Sequence, residues 1–164
     1  MKLTIGFSKP KHLKFPIFSW LIRAWEGVGY SHVFLRWYSP SYGKYLVYHA
    51  AGSGLHFLGE EQAKRQLDVV VEYELDITPS LKHRIVSYCL QKAGTPYGLW
   101  NVVGIALKRL LRLSKNPLAD GEDTQFCSEF VSRVLVEHFD VELPKSPDSM
   151  GLVDLEQLLI EITQ

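Results

Sequence analysis

The chain has 164 residues, a length that suits one domain with a buried core. Apolar residues make up 46% and charged residues 22%, the balance of a folded rather than a disordered chain. Lys+Arg and Asp+Glu both total 18, so the formal net charge is zero, which argues against the basic excess of a nucleic-acid groove.

The opening "MKLTIGFSKPKHLKF" lacks the apolar run and small-residue cleavage site of a signal peptide, so the expected location is the cytoplasm. "KLTIGFS" alternates as a short strand does. "PIFSWLIRAWEGVG" starts at Pro16 and stops at Gly27 and Gly29, the marks of a helix on which Trp20 and Trp25 are expected as packing anchors. "YSHVFLRWY" and "YLVYHA" flank the turn-forming "SPSYGK" and predict a β-hairpin. "GSGLHFLG" and "LDVVVEYEL" read as further strands. From Pro79 the pattern becomes helical in "PSLKHRIVSYCLQKAG", which places Cys89 in the core. A second helical segment follows over 99–113, and a short helix is expected near 152–159. The segment 99–113, "LWNVVGIALKRLLRL", is interrupted by Lys108 and Arg109 and is too short to span a bilayer, so no stable membrane insertion is expected. Strands in the first half and helices in the second predict a single α+β domain over 1–164, an antiparallel sheet packed against helices.

The second cysteine lies in "TQFCSEFVSRVL". Phe130, Val131, Val134 and Leu135 recur at helical spacing, with Asp123 or Thr124 as the expected N-cap. Cys127 then sits in the first turn, where unpaired amides and the helix dipole favour a thiolate and can hold an oxyanion. Asp120, Glu122 and Asp123 just upstream act in the opposite sense and would raise the thiol pKa. With only Cys89 as a partner there is no disulfide framework, which points to a reducing compartment.

A catalytic thiol needs a base and a group that orients the base. Of six histidines, His12 lies among lysines, His83 begins a helix, and His138 is about three turns from Cys127 on the same helix, beyond hydrogen-bond reach. His32 and His49 fall on the two strands of the predicted hairpin, where cross-strand neighbours approach closely. No His, Cys or acidic residues show paired zinc spacing. His49 and His56 in "YHAAGSGLH" are seven apart across two glycines, so neither a metal nor a cofactor is expected.

"YSHVFLRW", "YLVYHA" and "GLHF" resemble the histidine-bearing strand pair of the NlpC-type, papain-like cysteine peptidases. "AGTPYGLW" is similar to that family's G-x-P-Y segment, and "FCSEFVSRVL" to its nucleophile segment at a helix start. The histidines precede the cysteine here. That order matches the circularly permuted branch, which includes YiiX-like and, more distantly, lecithin:retinol acyltransferase-like proteins. Phe34 departs from the pattern, standing where the family carries glycine, and the hairpin loop is longer than the family's.

The resemblance implies a papain-like fold and a cysteine peptidase or amidase. Cys127 would be the nucleophile, His32 the base and His49 its orienting partner; Tyr97, or secondarily Gln125, would join the Cys127 amide as an oxyanion donor. It also implies a peptide substrate, with cell-wall peptides of phage or bacterial context the favoured class. Carriage in a phage particle or release by lysis would bring such an enzyme to the wall. Two alternatives keep the same fold: a lipid acyl hydrolase or acyltransferase, and a non-catalytic binding or structural module such as a phage-particle component. A buried thiol out of reach of His32 would favour the module.

Overall fold

The computed structural model describes residues 1–11, 16–98, 103–104, 107, 111–113, 117–118 and 124–164. Among them the order is β1 (Lys2–Pro10), α1 (Pro16–Glu26), β2 (His32–Ser39), β3 (Lys44–Ala51), β4 (Gly54–Gly59), α2 (Glu60–Gln66), β5 (Leu67–Asp76), α3 (Pro79–Lys92), α4 (Cys127–Phe139) and α5 (Leu152–Thr163), with a single 3-10 turn at Pro147–Ser149. The strands form one antiparallel sheet in the order β4-β3-β2-β1-β5. The architecture is therefore α+β, as expected from the sequence.

Local chemistry accounts for the element limits. Thr78 caps α3, its hydroxyl accepting from the Leu81 amide at 3.1 Å, and Pro79 opens the helix where a missing N–H costs nothing. The β2–β3 hairpin turns at Pro40–Gly43, with Gly43 at φ +61. Two-residue periodicity then divides β2 between two faces. Val33, Leu35 and Trp37 enter the main core with Ile5, Phe7, Tyr48, Ala50 and the buried side of α4 (Phe130, Val131, Val134, Leu135). On the other face Phe34 joins Val47, Leu58, Ala63 and Leu67 in a smaller cluster under α2. Glu156 on α5 accepts from the hydroxyls of Tyr30 and Tyr73, the latter at 3.1 Å, and ties that helix to the sheet.

Three expectations need correction, and a fourth lies elsewhere. Helix α2 was not expected: "EEQAKRQ" buries only Ala63 and so has no apolar period, its Lys64 instead pairing with Glu60 and Glu61 at 2.8 and 3.2 Å. The last helix runs on to Thr163. Trp20 and Trp25 are not packing anchors, being 59% and 42% exposed; α1 instead buries Ser19, whose hydroxyl meets that of Ser31 at 2.6 Å. The helix expected over 99–113 lies largely outside the described residues.

Gly6 faces Phe34 across the β1–β2 ladder, and a Cβ there would come within 2.2 Å of the phenyl Cζ. Gly6→Ala should therefore displace Phe34 from its cluster and cost about 1–3 kcal/mol, the usual penalty of overpacking. A urea midpoint unchanged from wild type would show that the ring moves freely.

Candidate active site

Sheet register brings three histidines onto the α2 face. Phe34 pairs with His49 between β2 and β3, and His49 pairs with His56 between β3 and β4. His32, two residues before Phe34, lies on the same side. His32 Nε2 is 2.9 Å from His49 Nδ1, His49 Nε2 is 3.1 Å from His56 Nε2, and His56 Nδ1 is 2.9 Å from the Gly54 carbonyl oxygen. The rings meet edge to face, at centroid distances of 5.1 and 4.5 Å.

The meeting of His32 and His49 was expected; the part played by His56 was not. The signal was there in the spacing. A two-residue turn at Gly52-Ser53 pairs Ala51 with Gly54, and that register puts position 49 opposite position 56. Burial pushes the His32 imidazole down to about 4, helped by the nearby His56. It pushes His49, 3% exposed between its two neighbours, down to about 2.

Cys127 is the first residue of α4 and Phe126 is its N-cap, with no side-chain capping bond. The cap expected at Asp123 or Thr124 is displaced because Gln125 forms a parallel bridge with Tyr97: its amide donates to Pro96 O, and the Gly98 amide donates to Gln125 O, both at 3.1 Å. The chain thus stays extended up to the cysteine. The amides of Val33 and Ser128 and the Tyr97 hydroxyl lie beside the thiol and favour its thiolate form. Burial outweighs them and pushes the thiol up to about 11. Burial, reinforced by the thiol, raises the Tyr97 phenol as well.

The structure thus joins His32 to His49 and Tyr97 to Cys127, with Gln125 bridged to Tyr97. Between the two groups, the contact made by Cys127 is with the backbone amide of Val33, one peptide bond from His32, rather than with the His32 ring. That amide lies where β2 has not yet entered the ladder with β3, which begins at Phe34.

Gln125 is fully buried, and both polar atoms of its side-chain amide lack a hydrogen-bond partner. As bridge partners, Gln125 and Tyr97 project to the same side. Gly54 connects this loop with the histidines. Its φ is +99, a Cβ would lie 2.4 Å from Thr95 O, and the neighbouring Leu55 amide donates to that same oxygen at 3.0 Å.

Sequence reasoning also passed over Glu129. Its carboxylate is buried in the first turn of α4, with Oε1 3.0 Å from Arg133, and burial pushes it up to about 7 against the pull of that arginine.

Among the described residues, no group of three or more His, Cys, Asp or Glu side chains is arranged to hold a metal ion, and no helix is long and apolar enough to cross a membrane. No family model, curated protein or solved structure matches the chain.

Two expectations follow from this electrostatic pattern. Alkylation of Cys127 in the free protein should be slow at neutral pH and climb toward pH 11, where the buried thiol ionises. A rate plateau below pH 7 would demonstrate a thiolate–imidazolium pair instead.

Stability should fall as pH drops from 6.5 toward 4. His32 and His49 stay neutral in the fold but bind protons when unfolded, so their contribution is complete above 6.5 and is lost toward about 4 and below. Glu129 acts oppositely, holding a proton in the fold between 4.5 and about 7 that the unfolded chain has released. Of these three groups, two against one leave about one net proton, or roughly 1.4 kcal/mol per pH unit near the middle of that window, and His138, also pushed down by burial, adds in the same sense. Glu129→Gln should steepen the loss, as read by urea unfolding between pH 4.5 and 6.5; a flatter profile in that variant would reverse the assignment.

Proposed function

We propose that the chain is a cysteine hydrolase of the permuted papain-like kind, acting on an amide bond, with peptides of the cell-wall class as the favoured substrates. The observation that carries this reading is the thiol at the start of α4, flanked by the Val33 amide and Tyr97 at the strand end that bears the hydrogen-bonded His32–His49 pair.

The neutral resting forms of both groups set the order of events. With the thiol near 11 and the His32 imidazole near 4, the proton stays on sulfur until a substrate carbonyl is in place. The thiol proton then passes to His32 as the S–C bond forms, and charge collects on the carbonyl oxygen. The Cys127 amide donates to that oxygen, and the unpaired Gln125 amide supplies the second donor. Tyr97 donates to the sulfur and steadies it as it becomes negative. Collapse breaks the C–N bond, and the His32 proton goes to the leaving amine. Water, deprotonated by His32, then attacks the thioester and restores the free thiol.

Two observations favour a second reading, a binding module that retains the fold: Cys127 is only 4% exposed, and its thiol meets the Val33 amide rather than the His32 ring. Intact-mass measurement during incubation with a panel of cell-wall peptides separates the two. The hydrolase should show a transient acyl adduct on Cys127, absent in Cys127→Ala, with turnover in His32→Ala reduced at least about a hundredfold, the smaller end of a general-base effect. Peptides that bind without an adduct or cleavage would leave the module as the function.

A further inference from the structure

When all three imidazoles are neutral, as in mildly alkaline solution, their row can direct its protons one way or the other, and the group at its end decides which. His56 Nδ1 lies 2.9 Å from the Gly54 carbonyl oxygen. A carbonyl oxygen accepts and has no proton to give, so Nδ1 of His56 carries the proton. In its neutral form His56 then presents a lone pair at Nε2, and His49 Nε2, 3.1 Å away, donates to it. His49 Nδ1 is left as an acceptor, and His32 Nε2, 2.9 Å away, donates in turn. The reverse arrangement would set the Gly54 oxygen against an unprotonated nitrogen and leave both lone pairs unpaired, the costly case for partly buried groups.

The row leaves one ring nitrogen with a lone pair uncommitted within it, His32 Nδ1. This is the imidazole nitrogen nearest its own main chain, and the next amide along that main chain, Val33 N–H, lies beside the Cys127 sulfur. We propose that His56, anchored on the Gly54 carbonyl, is a positioning residue that acts through His49 to fix the His32 tautomer, keeping Nδ1 free to take the thiol proton. The tautomer assignment follows from the hydrogen bonds alone; its use in catalysis rests on the hydrolase reading. Fixing the ring through two further histidines matters because the other neutral tautomer of His32 carries a proton on Nδ1 and cannot act as a base there.

The test is long-range proton–nitrogen NMR of the histidine rings at mildly alkaline pH, in wild type, His56→Leu and His56→Gln. Wild type should show the proton on Nε2 of His32 and His49 and on Nδ1 of His56. Leucine removes the acceptor of the His49 proton, so the His32 signal should shift toward a mixture of tautomers. Glutamine offers a carbonyl oxygen to the same proton and should restore the His32 tautomer, which a general packing defect would not do.

A wild-type spectrum with the His32 proton on Nδ1 overturns the proposal, and it can be read even if the leucine variant fails to fold. An unchanged His32 tautomer in a folded His56→Leu also overturns it. Correct tautomers together with a Cys127 that never acylates support the positioning role while removing the hydrolase reading, so the two failures are distinct.

Discussion

Neighbouring side chains of a strand point to opposite faces, and that constraint on β2 shapes the site. His32 belongs to the face that carries His49, His56 and the small cluster under α2, whereas Val33 belongs to the face packed by α4. A cysteine on α4 and an imidazole on the other face can come together only around the end of the strand. Cys127 is placed accordingly: it is the first residue of its helix, and it meets β2 through a backbone amide where pairing with β3 has yet to begin. The Tyr97–Gln125 bridge serves the same end by keeping the chain extended right up to the helix start.

Magnitudes decide the protonation state of that thiol. A helix N-terminus favours an anion by about 0.3–1 kcal/mol. The rise of the thiol from 9.0 to about 11 corresponds to about 3 kcal/mol against the thiolate. Burial therefore wins over the helix start and the neighbouring amides and tyrosine together. Sequence shows the capping environment of Cys127 and the acidic residues before it, but not the depth of its burial.

Much of the fold was legible for identifiable reasons. The hairpin has turn residues between two β-branched, aromatic runs, and α3 has a capping threonine and a proline at its start, so local chemistry and tertiary structure agree there. The meeting of His32 with His49 was legible as a pairing of strands, though not as a register. His56 escaped because its spacing from His49 was tested against metal ligation rather than against the register of a two-residue turn. Helix α2 and the exposed Trp20 and Trp25 escaped because their placement follows from tertiary packing and surface charge, which hydrophobic periodicity does not record. Phe34, the departure from the resembled pattern, is matched by Gly6 on the adjoining strand, a large-for-small exchange visible only once the strands are paired.

The connectivity has a consequence for how the site is assembled. All three imidazoles come from one meander, β2 to β4, joined by short turns, so the histidine row is built from contacts local in sequence. Such contacts need little loop closure and form readily. The thiol arrives from the far side of a long connection and depends on the docking of α4. Partial opening of the fold that lifts the first turn of α4 from the sheet would separate the thiol from the histidines while leaving the histidine hydrogen bonds in place. The imidazole row is thus a property of the sheet, and the position of the thiol is a property of its closure.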